Sequence, residues 1–341
     1  MASRQTTRNC TNLVFTAPYE VALERETLPA PAPDQVLVET LASAISAGTE
    51  LLFYRGQVPD EMSVDATLAA LAGAVRYPLR YGYALVGVVV ETGAAVDPIW
   101  QGRRVFAFHP HTSHLLATPA ELIPVPETVT TEQAIFLPNM ESAVNFVQDG
   151  APVIGERVVV LGQGVVGLLT TTLLARFPLE QLVAIDQLPR RREASRQLGA
   201  TAVYGEMAHA TQREVDADLV YELTGNPAAL NMAITLAGYD GRVVIGSWYG
   251  RKRAEIDLGG HFHRSRIRLI SSQVSTIAPH RQGRWNKARR FDVAWRLLAA
   301  LDPATLVTHR FAIQDAAQAY TLLDQQPDEA LQVLLTYGLA L

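Results

Sequence analysis

The chain of 341 residues is long enough for two domains with substantial cores. Its apolar share of 48% and charged share of 18% are ordinary for a soluble globular protein, and its net charge of −5 gives no reason to expect nucleic acid or a membrane as a partner. The single cysteine, Cys10, excludes an internal disulfide and any four-cysteine zinc site, and the first ten residues lack the apolar run of a signal peptide, so we expect a cytoplasmic protein.

The first third of the chain carries mostly strand patterns. The predicted strands are Asn12–Ala17, Val21–Glu26, Gln35–Ala44, Val86–Glu91 and Arg103–Phe108. Ser63–Val75 interrupts this pattern, because its Ala and Leu residues have helical spacing, and is predicted to be a helix. A second helix is predicted over Thr130–Asp149, broken or kinked at Pro138. Many short strands before any βαβ unit indicate a barrel-like β domain.

The strongest pattern begins at Arg157–Leu161, a β-branched run typical of a buried strand. A glycine-rich loop follows, then an apolar segment of helical length, and then a second strand, Gln181–Ile185, which ends on Asp186. Such a unit binds the pyrophosphate of a dinucleotide at the helix N-terminus, and an acid about 20 residues beyond the glycines binds the adenosine ribose. The predicted cofactor-binding residues of this unit are Gly162, Gln163, Gly164, Val165, Val166, Gly167 and Asp186.

Two alternatives to this interpretation are a glycine-rich turn that binds nothing and a membrane span over Val158–Ala175. The three glycines, Gln163 and the threonines at 170–172 argue against a span.

The chain continues with alternating helices and strands. Helices are predicted at Arg190–Leu198 and Pro227–Ala237, and strands at Ala202–Tyr204, Ala217–Leu223, Arg242–Ser247 and Ile267–Ser272. With the two earlier strands these make the six that a complete dinucleotide-binding sheet requires. A helix over 286–300, a strand Leu306–Ile313, a helix Gln314–Gln325 and a strand Ala330–Thr336 follow, and we assign them back to the first domain. The predicted domains are 1–145, 146–275 and a return over 276–341.

Three stretches carry a family resemblance: Ala47-Gly48-Thr49-Glu50, the run G-Y-A-L-V-G-V-V over 82–89, and the glycine-rich loop. With the order of the domains, they make nearly the whole chain resemble the medium-chain dehydrogenase/reductase superfamily, which is alcohol dehydrogenase-like. The resemblance implies an α/β protein with a GroES-like β-rich catalytic domain and a Rossmann domain, whose sheet is doubly wound, parallel and six-stranded. It also implies an oxidoreductase with a small-molecule substrate, and a homodimer formed by joining nucleotide-domain sheets edge to edge.

The departures from the family pattern concern zinc. Zinc-dependent members carry Cys-Gly-Thr-Asp in place of 47–50 and Gly-His-Glu in place of 82–84, and their third ligand would fall within 137–143. Neither Ala47 nor Ala84 can bind a metal, and tyrosine is a poor zinc ligand, so no catalytic zinc is expected. His109, His111 and His114, with Glu50 or Glu141, are an alternative metal site. Polar residues on a surface connection are the interpretation we favour for the three histidines.

Without zinc, hydrogen-bond donors must stabilise the reacting oxygen of the substrate. The resemblance makes Thr49 the hydroxyl that begins the family's proton relay, although the relay's distal histidine is replaced near Leu52. Ser46 and Tyr83 are further donors, and Tyr83 is expected to contact the substrate or to be a core tyrosine. Glu50 and Glu141 are candidate acid–base groups, with a structural ion pair favoured for Glu50.

Asp186 favours NAD over NADP, because a carboxylate repels a 2′-phosphate. The resemblance places Arg191 against the adenosine ribose, while Arg190 and Arg192 leave NADP as an alternative. It places Thr224, Gly225, Gly246 and Ser247 beside the ribose and nicotinamide. It places Ser272 and Gln273 at the carboxamide of the nicotinamide.

The expected function is NAD(H)-dependent interconversion of an alcohol and a carbonyl. The stretches S-A-I-S-A-G-T-E and Y-P-L-R-Y-G-Y-A-L-V-G resemble the bacteriochlorophyllide hydroxyethyl dehydrogenase group, which suggests a secondary alcohol on a sizeable molecule. The alternatives are an NADPH-dependent quinone or enoyl reductase and a nucleotide-binding protein without activity. Two clusters bear on the substrate. Phe53, Tyr54, Tyr81, Trp248 and Tyr249 suggest an aromatic-lined cleft, with core packing as the more common role of aromatic residues. A basic stretch at 281–290 could receive an anionic substrate or partner, and a solvated helix face is favoured for it.

Overall fold

The computed structural model describes residues 8–59, 73–207 and 215–338. Most of the helix predicted over Ser63–Val75 lies outside the described residues. The chain divides into two compact units: the described residues up to Pro138 with those from Trp295 onward, and Asn139–Ala294. The boundaries between the units therefore fall at 138/139 and 294/295. The domain boundaries predicted from the sequence were 145/146 and 275/276.

The first unit is built on strands. β1 (Arg8–Ala17) and β2 (Glu20–Leu28) form an antiparallel pair. A seven-stranded sheet has the order β14-β15-β3-β4-β5-β7, with β6 pairing β3. Its strands are β3 (Val36–Ile45), β4 (Leu85–Thr92), β5 (Arg104–Ala107), β6 (His114–Ala117), β7 (Ile123–Pro124), β14 (Val307–Ala312) and β15 (Gln332–Thr336). β15 pairs with β3, and β14 pairs with β15, so the return segment joins the sheet of the first unit, as assigned from the sequence. The strands β6 and β7 were not predicted.

The helices of this unit are short. They are α1 (Glu50–Tyr54), α2 (Thr131–Ala134) and α9 (Ala316–Gln325). The helix predicted over Thr130–Asp149 is two helices, α2 and α3 (Leu137–Gly150), because Pro138 is the second residue of α3, where a missing N–H costs nothing. Thr130 and Gln133 form a capping box that begins α2.

The second unit contains a six-stranded parallel sheet of order β10-β9-β8-β11-β12-β13. Its strands are β8 (Arg157–Leu161), β9 (Gln181–Ile185), β10 (Ala202–Tyr204), β11 (Ala217–Glu222), β12 (Ala237–Ile245) and β13 (Arg268–Ser271). Its helices are α4 (Val165–Leu174), α5 (Pro189–Gln197), α6 (Ala229–Leu236), α7 (His261–Arg264) and α8 (Lys287–Leu301), whose last residues belong to the first unit. The strand order reverses between β8 and β11, which is where open α/β sheets bind ligands at their carboxyl edge. The predicted doubly wound sheet is confirmed.

Burial explains why the strands of this sheet were readable. Two core clusters contain alternate residues of these strands: one includes Val159, Val183, Val220 and Val243, and the other Val158, Val160, Leu182 and Val244. All eight are 2% exposed or less, as a sheet covered on both faces requires. In the described part of the chain, no helix has the length and apolarity needed to cross a bilayer.

Candidate functional site

The glycine-rich loop joins β8 to α4, and two of its glycines are demanded by packing. Gly162 has a φ of +86°, and a Cβ there would lie 2.7 Å from the carbonyl carbon and oxygen of Leu223. A Cβ on Gly167 would overlap the carbonyl oxygen of Gly162. Gly164 is different, because it precedes α4 as its N-cap and nothing but Arg191 Nη1, at 4.0 Å, lies within 4 Å of a Cβ placed there. The loop therefore leaves open space at a helix N-terminus, as an incoming pyrophosphate needs.

The other loop residues take two roles. Val165 and Val166 are partly buried in the first turn of α4. The side chain of Gln163 is fully buried: its amide donates to Val160 O at 3.1 Å, and its oxygen accepts from Thr171 Oγ1 at 2.9 Å. The side chain of Gln163 is thus used in internal packing and is not placed to bind a ligand.

Asp186 follows β9 and is fixed from two sides. Its Oδ2 accepts from the Gln163 N–H at 2.7 Å and its Oδ1 from the Leu188 N–H at 2.8 Å. Arg191 Nη1 lies 3.8 Å from Oδ2. Because each carboxylate oxygen can accept a second hydrogen bond, Asp186 can still bind two ribose hydroxyls. Arg192 Nη1 instead donates to the carbonyls of Asp186 and Gln187, at 2.9 and 2.7 Å.

The loop after β11 is held by a buried carboxylate that the sequence analysis did not select. Glu222 Oε1 accepts from Thr224 N at 2.8 Å and from Thr224 Oγ1 at 2.5 Å, and Oε2 accepts from Tyr249 OH at 2.5 Å. Burial, with the neighbouring Glu222 carboxylate, raises the pKa of Tyr249, so its hydroxyl stays a donor. The N–H of Gly225 donates to Ser247 Oγ at 2.9 Å. The predicted nicotinamide-side residues therefore form one connected loop structure.

Gly246, Ser272 and Gln273 complete the predicted cofactor set. A Cβ on Gly246 would lie 2.5 Å from Leu223 Cδ2 and from Phe146 Cζ, so glycine is needed there for packing. Ser272 Oγ donates to Asp149 Oδ2 at 2.6 Å, which turns its hydroxyl inward. Gln273 hydrogen-bonds Ser275 through both ends of its amide, at 2.8 Å each.

In the first unit, three predicted hydroxyls lie together. Tyr83 OH donates to Ser46 Oγ and lies 3.5 Å from Thr49 Oγ1, and all three residues are partly buried. A turn positions two of them, because Ser46 O accepts from Thr49 N at 3.1 Å and from Glu50 N at 2.8 Å. The Tyr83–Ser46 bond uses the tyrosine proton and leaves the serine proton for another acceptor. We call Ser46, Thr49 and Tyr83 the hydroxyl cluster.

Glu50 is fully buried behind this turn. It accepts from the Ser46 N–H at 2.8 Å, from His111 Nε2 at 2.9 Å and from Tyr320 OH at 2.5 Å. An ionised carboxylate only accepts hydrogen bonds, so His111 must carry its proton on Nε2. Burial and the charge of Glu50 raise the pKa of Tyr320, which keeps it protonated. These contacts agree with the structural interpretation of Glu50, which holds the backbone of the hydroxyl cluster through Ser46.

Glu141, the other candidate acid–base residue, lies in the second unit. Its carboxylate is 3% exposed and accepts from Lys287 Nζ at 2.5 Å and from Arg290 Nε at 2.9 Å. Two cations therefore hold it as a structural ion pair, and the contacts give no support to acid–base catalysis by Glu141.

The prediction of an aromatic-lined cleft is wrong for the three aromatic residues that lie in the first unit. Phe53, Tyr54 and Tyr81 are 0, 6 and 2% exposed. Phe53 stacks on Tyr81 with ring centroids 3.8 Å apart, and Tyr54 stacks on Tyr320 at 5.4 Å. They are core residues, because large aromatic rings gain most from burial.

Comparisons with known proteins agree with this geometry. A family model described as glucose dehydrogenase C-terminus matches residues 136–333, more than half of the chain. The chain belongs to this family, within the medium-chain dehydrogenase/reductase superfamily. It is therefore a dehydrogenase or reductase of the alcohol dehydrogenase-like superfamily, and the predicted fold class is confirmed.

Individual proteins match along nearly the whole chain. The 2-desacetyl-2-hydroxyethyl bacteriochlorophyllide A dehydrogenase of Cereibacter sphaeroides is 26% identical, over 96% of this chain and 98% of its own. The D-guloside 3-dehydrogenase of Escherichia coli K12 is 22% identical, over 95% and 99%. The crystal structure of rspB from E. coli CFT073, complexed with NADH, superposes with a TM-score of 0.77 at 19% identity, covering 96% of this chain and 99% of that one.

The donor set at the superfamily's zinc position does not fit a metal. Ala47 and Ala84 offer no ligand atom, and the Tyr83 hydroxyl is bonded to Ser46. The three histidines have separate partners: His109 Nδ1 contacts Pro110 O at 3.0 Å, His111 lies between Ser43 and Glu50, and His114 Nδ1 contacts Ser113 Oγ at 3.0 Å. The interpretation as residues on a surface connection is wrong for His111, which is fully buried. Over residues 8–59, 73–207 and 215–338, no three His, Cys, Asp or Glu side chains are grouped to hold a metal.

Proposed function

We propose that this dehydrogenase interconverts an alcohol and a carbonyl by hydride transfer with NAD(H), and that it does so without catalytic zinc. The observation that carries the proposal is the hydroxyl cluster of Ser46, Thr49 and Tyr83, because it stands at the positions where zinc-dependent members of the superfamily hold and surround their metal. Alcohol oxidoreductase activity follows from the family, and the cofactor preference and the absence of zinc are our proposals.

The hydroxyl cluster does the work that a metal would otherwise do. The negative charge that develops on the substrate oxygen during carbonyl reduction must be stabilised by donors already in place. Tyr83 donates to Ser46, so the Ser46 proton is directed to the substrate oxygen, and Thr49 Oγ1 offers a second proton. Glu50 keeps this geometry by holding the Ser46 N–H. The bound nicotinamide supplies or accepts the hydride.

The residues of the second unit fit an NAD(H) dinucleotide. Gly164 leaves the helix N-terminus open for the pyrophosphate, and Asp186 retains acceptor capacity for the two ribose hydroxyls. A 2′-phosphate would meet the Asp186 carboxylate, which is the physical reason for proposing NAD over NADP. Arg192, one of the two arginines that left NADP as an alternative, donates instead to two backbone carbonyls.

The substrate is expected to be a secondary alcohol or its ketone. The test is turnover with NADH or NAD on a panel of ketones, glycosides, hydroxyethyl-substituted tetrapyrroles, quinones and enones, with the zinc content of the same preparation measured. Oxidation of alcohols at a zinc content far below one per chain supports the proposal. Turnover confined to quinones or enones, or activity lost on chelation and restored by zinc, would contradict it.

We further propose that the chain forms a homodimer through β13. This strand is at an edge of the six-stranded sheet, and Leu269 within it is 37% exposed. A second copy pairing there would satisfy the strand's outward backbone groups. Light scattering coupled to gel filtration measures the mass directly, and a monomer at micromolar concentration contradicts the proposal.

A further inference from the structure

Arg290 is the largest fully buried side chain in the described part of the chain. It falls in the basic stretch at 281–290, for which the sequence favoured a solvated helix face, so that expectation is wrong for this residue. A buried guanidinium is costly unless its charge and its donors are matched. The identity of its partners therefore indicates the role of Arg290.

Those partners come from two places. On α3, Glu141 Oε1 accepts from Arg290 Nε at 2.9 Å, and Asn145 Oδ1 accepts from Nη1 at 2.5 Å. On the chain that follows β13, the carbonyl of Val274 accepts from Nη2, and the carbonyl of Thr276 accepts from Nη1 at 3.2 Å. Arg290 thus links α3 to a stretch of backbone outside any helix or strand.

That stretch, residues 272–276, is here called the carboxyl-edge segment. It leaves the parallel sheet at the edge where open α/β sheets bind their ligands, and it begins with the two residues expected at the carboxamide. Side chains of α3 also hold Ser272, the first residue of this segment: Asn145 Nδ2 donates to Ser272 Oγ at 2.9 Å, and Ser272 Oγ donates to Asp149 at 2.6 Å. Asn145 therefore couples Arg290 to Ser272.

We propose that Arg290 is a positioning residue for the nicotinamide end of the dinucleotide, because it fixes the carboxyl-edge segment in the conformation that receives the carboxamide. The inference rests on the proposed function, since it requires that the chain binds NAD(H). A planar guanidinium is suited to this task, because its donors diverge in fixed directions and hold two carbonyls and two side chains at once. Lysine carries the same charge but lacks the planar set of donors in fixed directions.

The test compares two ligands that differ at the nicotinamide. NADH and ADP-ribose share the adenosine and pyrophosphate, and ADP-ribose lacks the nicotinamide. Their affinities are measured by titration calorimetry for the wild type, Arg290→Lys and Arg290→Met. We expect Arg290→Lys to weaken NADH binding by about tenfold and Arg290→Met to weaken it further, with ADP-ribose affinity unchanged within about twofold. A residue that only stabilised the fold would not separate the two ligands.

Arg242→Lys is the matched control, because Arg242 Nη2 holds Glu156 at 2.6 and 2.7 Å near the amino ends of the strands of the same sheet, away from the carboxyl-edge segment. It should leave the ratio of the two affinities unchanged. If Arg290→Met fails to fold by circular dichroism, Asn145→Ser takes its place, since it cuts the link to Ser272 and keeps the Arg290–Glu141 pair. An unchanged ratio in the Arg290 and Asn145 variants would overturn the inference. A wild type that binds neither ligand would overturn the proposed function instead.

Discussion

Replacing Asp186 by asparagine tests how the chain selects its dinucleotide. Both carboxylate oxygens accept a backbone N–H, from Gln163 at 2.7 Å and from Leu188 at 2.8 Å, so an amide leaves one of these donors facing an NH2 group. Hydrogen bonds from the ribose to a charged acceptor are worth about 1.5–3 kcal/mol. Losing one weakens NADH binding by about 10- to 100-fold.

The same substitution should strengthen NADPH binding. Two unit charges about 4 Å apart repel by about 4 kcal/mol at an effective dielectric of about 20, and Asp186→Asn removes that repulsion from the 2′-phosphate. Arg191 Nη1, 3.8 Å from Asp186 Oδ2, lies close enough to pair with the phosphate. The variant should therefore prefer NADPH, reversing the preference of the wild type.

Fluorescence titration of the wild type and the variant with both reduced dinucleotides measures this reversal. Asp218→Asn is the matched control, because Asp218 also accepts a backbone N–H, that of Arg157 at 2.8 Å, where β8 begins. It should leave the ratio of the two affinities unchanged. The reasoning is refuted if the wild type binds NADPH as tightly as NADH, or if Asp186→Asn weakens both dinucleotides equally.

Ser46→Ala should lower kcat by about 100-fold, as removal of one donor to a developing oxyanion does, with NADH affinity unchanged. An unaltered kcat on the best substrate of the panel would exclude a role for Ser46 at the reacting oxygen. Gly164→Ala should keep the melting temperature and weaken NADH binding, whereas Gly167→Ala should lower the melting temperature because its Cβ overlaps the Gly162 carbonyl. A lowered melting temperature in Gly164→Ala with an unchanged one in Gly167→Ala would contradict the geometry of the loop. Burial lowers the pKa of His109, so the unfolded chain binds a proton that the folded chain excludes, and stability should fall as the pH drops from about 7.5 to about 5.5. In the His109→Gln variant the melting temperature should fall less over this pH range. An equal dependence of melting temperature on pH in the wild type and the variant would contradict the role of His109.

The sequence predicted best those elements whose signature is local. Arg157–Leu161 and Gln181–Ile185 were predicted to the residue, because a strand buried on both faces is a continuous β-branched run ended by a turn residue. The two-residue strand Ile123–Pro124 and the five-residue helix Glu50–Tyr54 are too short to show a period, and neither was predicted. β12 begins at Ala237 rather than Arg242, since α6 passes into it without a loop.

The candidate site also contains residues that local spacing predicted and residues that it did not. The glycine-rich loop and Asp186 lie within 25 residues of one another, so their spacing alone predicted the nucleotide site. The hydroxyl cluster came only from comparison with a family, since Ser46 and Tyr83 are 37 residues apart.

The buried charges had no local signature at all. Arg290 and Glu141 are separated by 149 residues, and Glu50 and His111 by 61. A charged residue in a basic stretch is expected in solvent, because its burial is tolerable only when a distant partner meets it. A pattern along the chain cannot supply that partner, whereas the fold supplies it by bringing α3 and α8 together. The polar interior that holds the carboxyl-edge segment is therefore a property of the tertiary structure, and binding measurements on Arg290 variants examine a part of this site that no sequence motif could have specified.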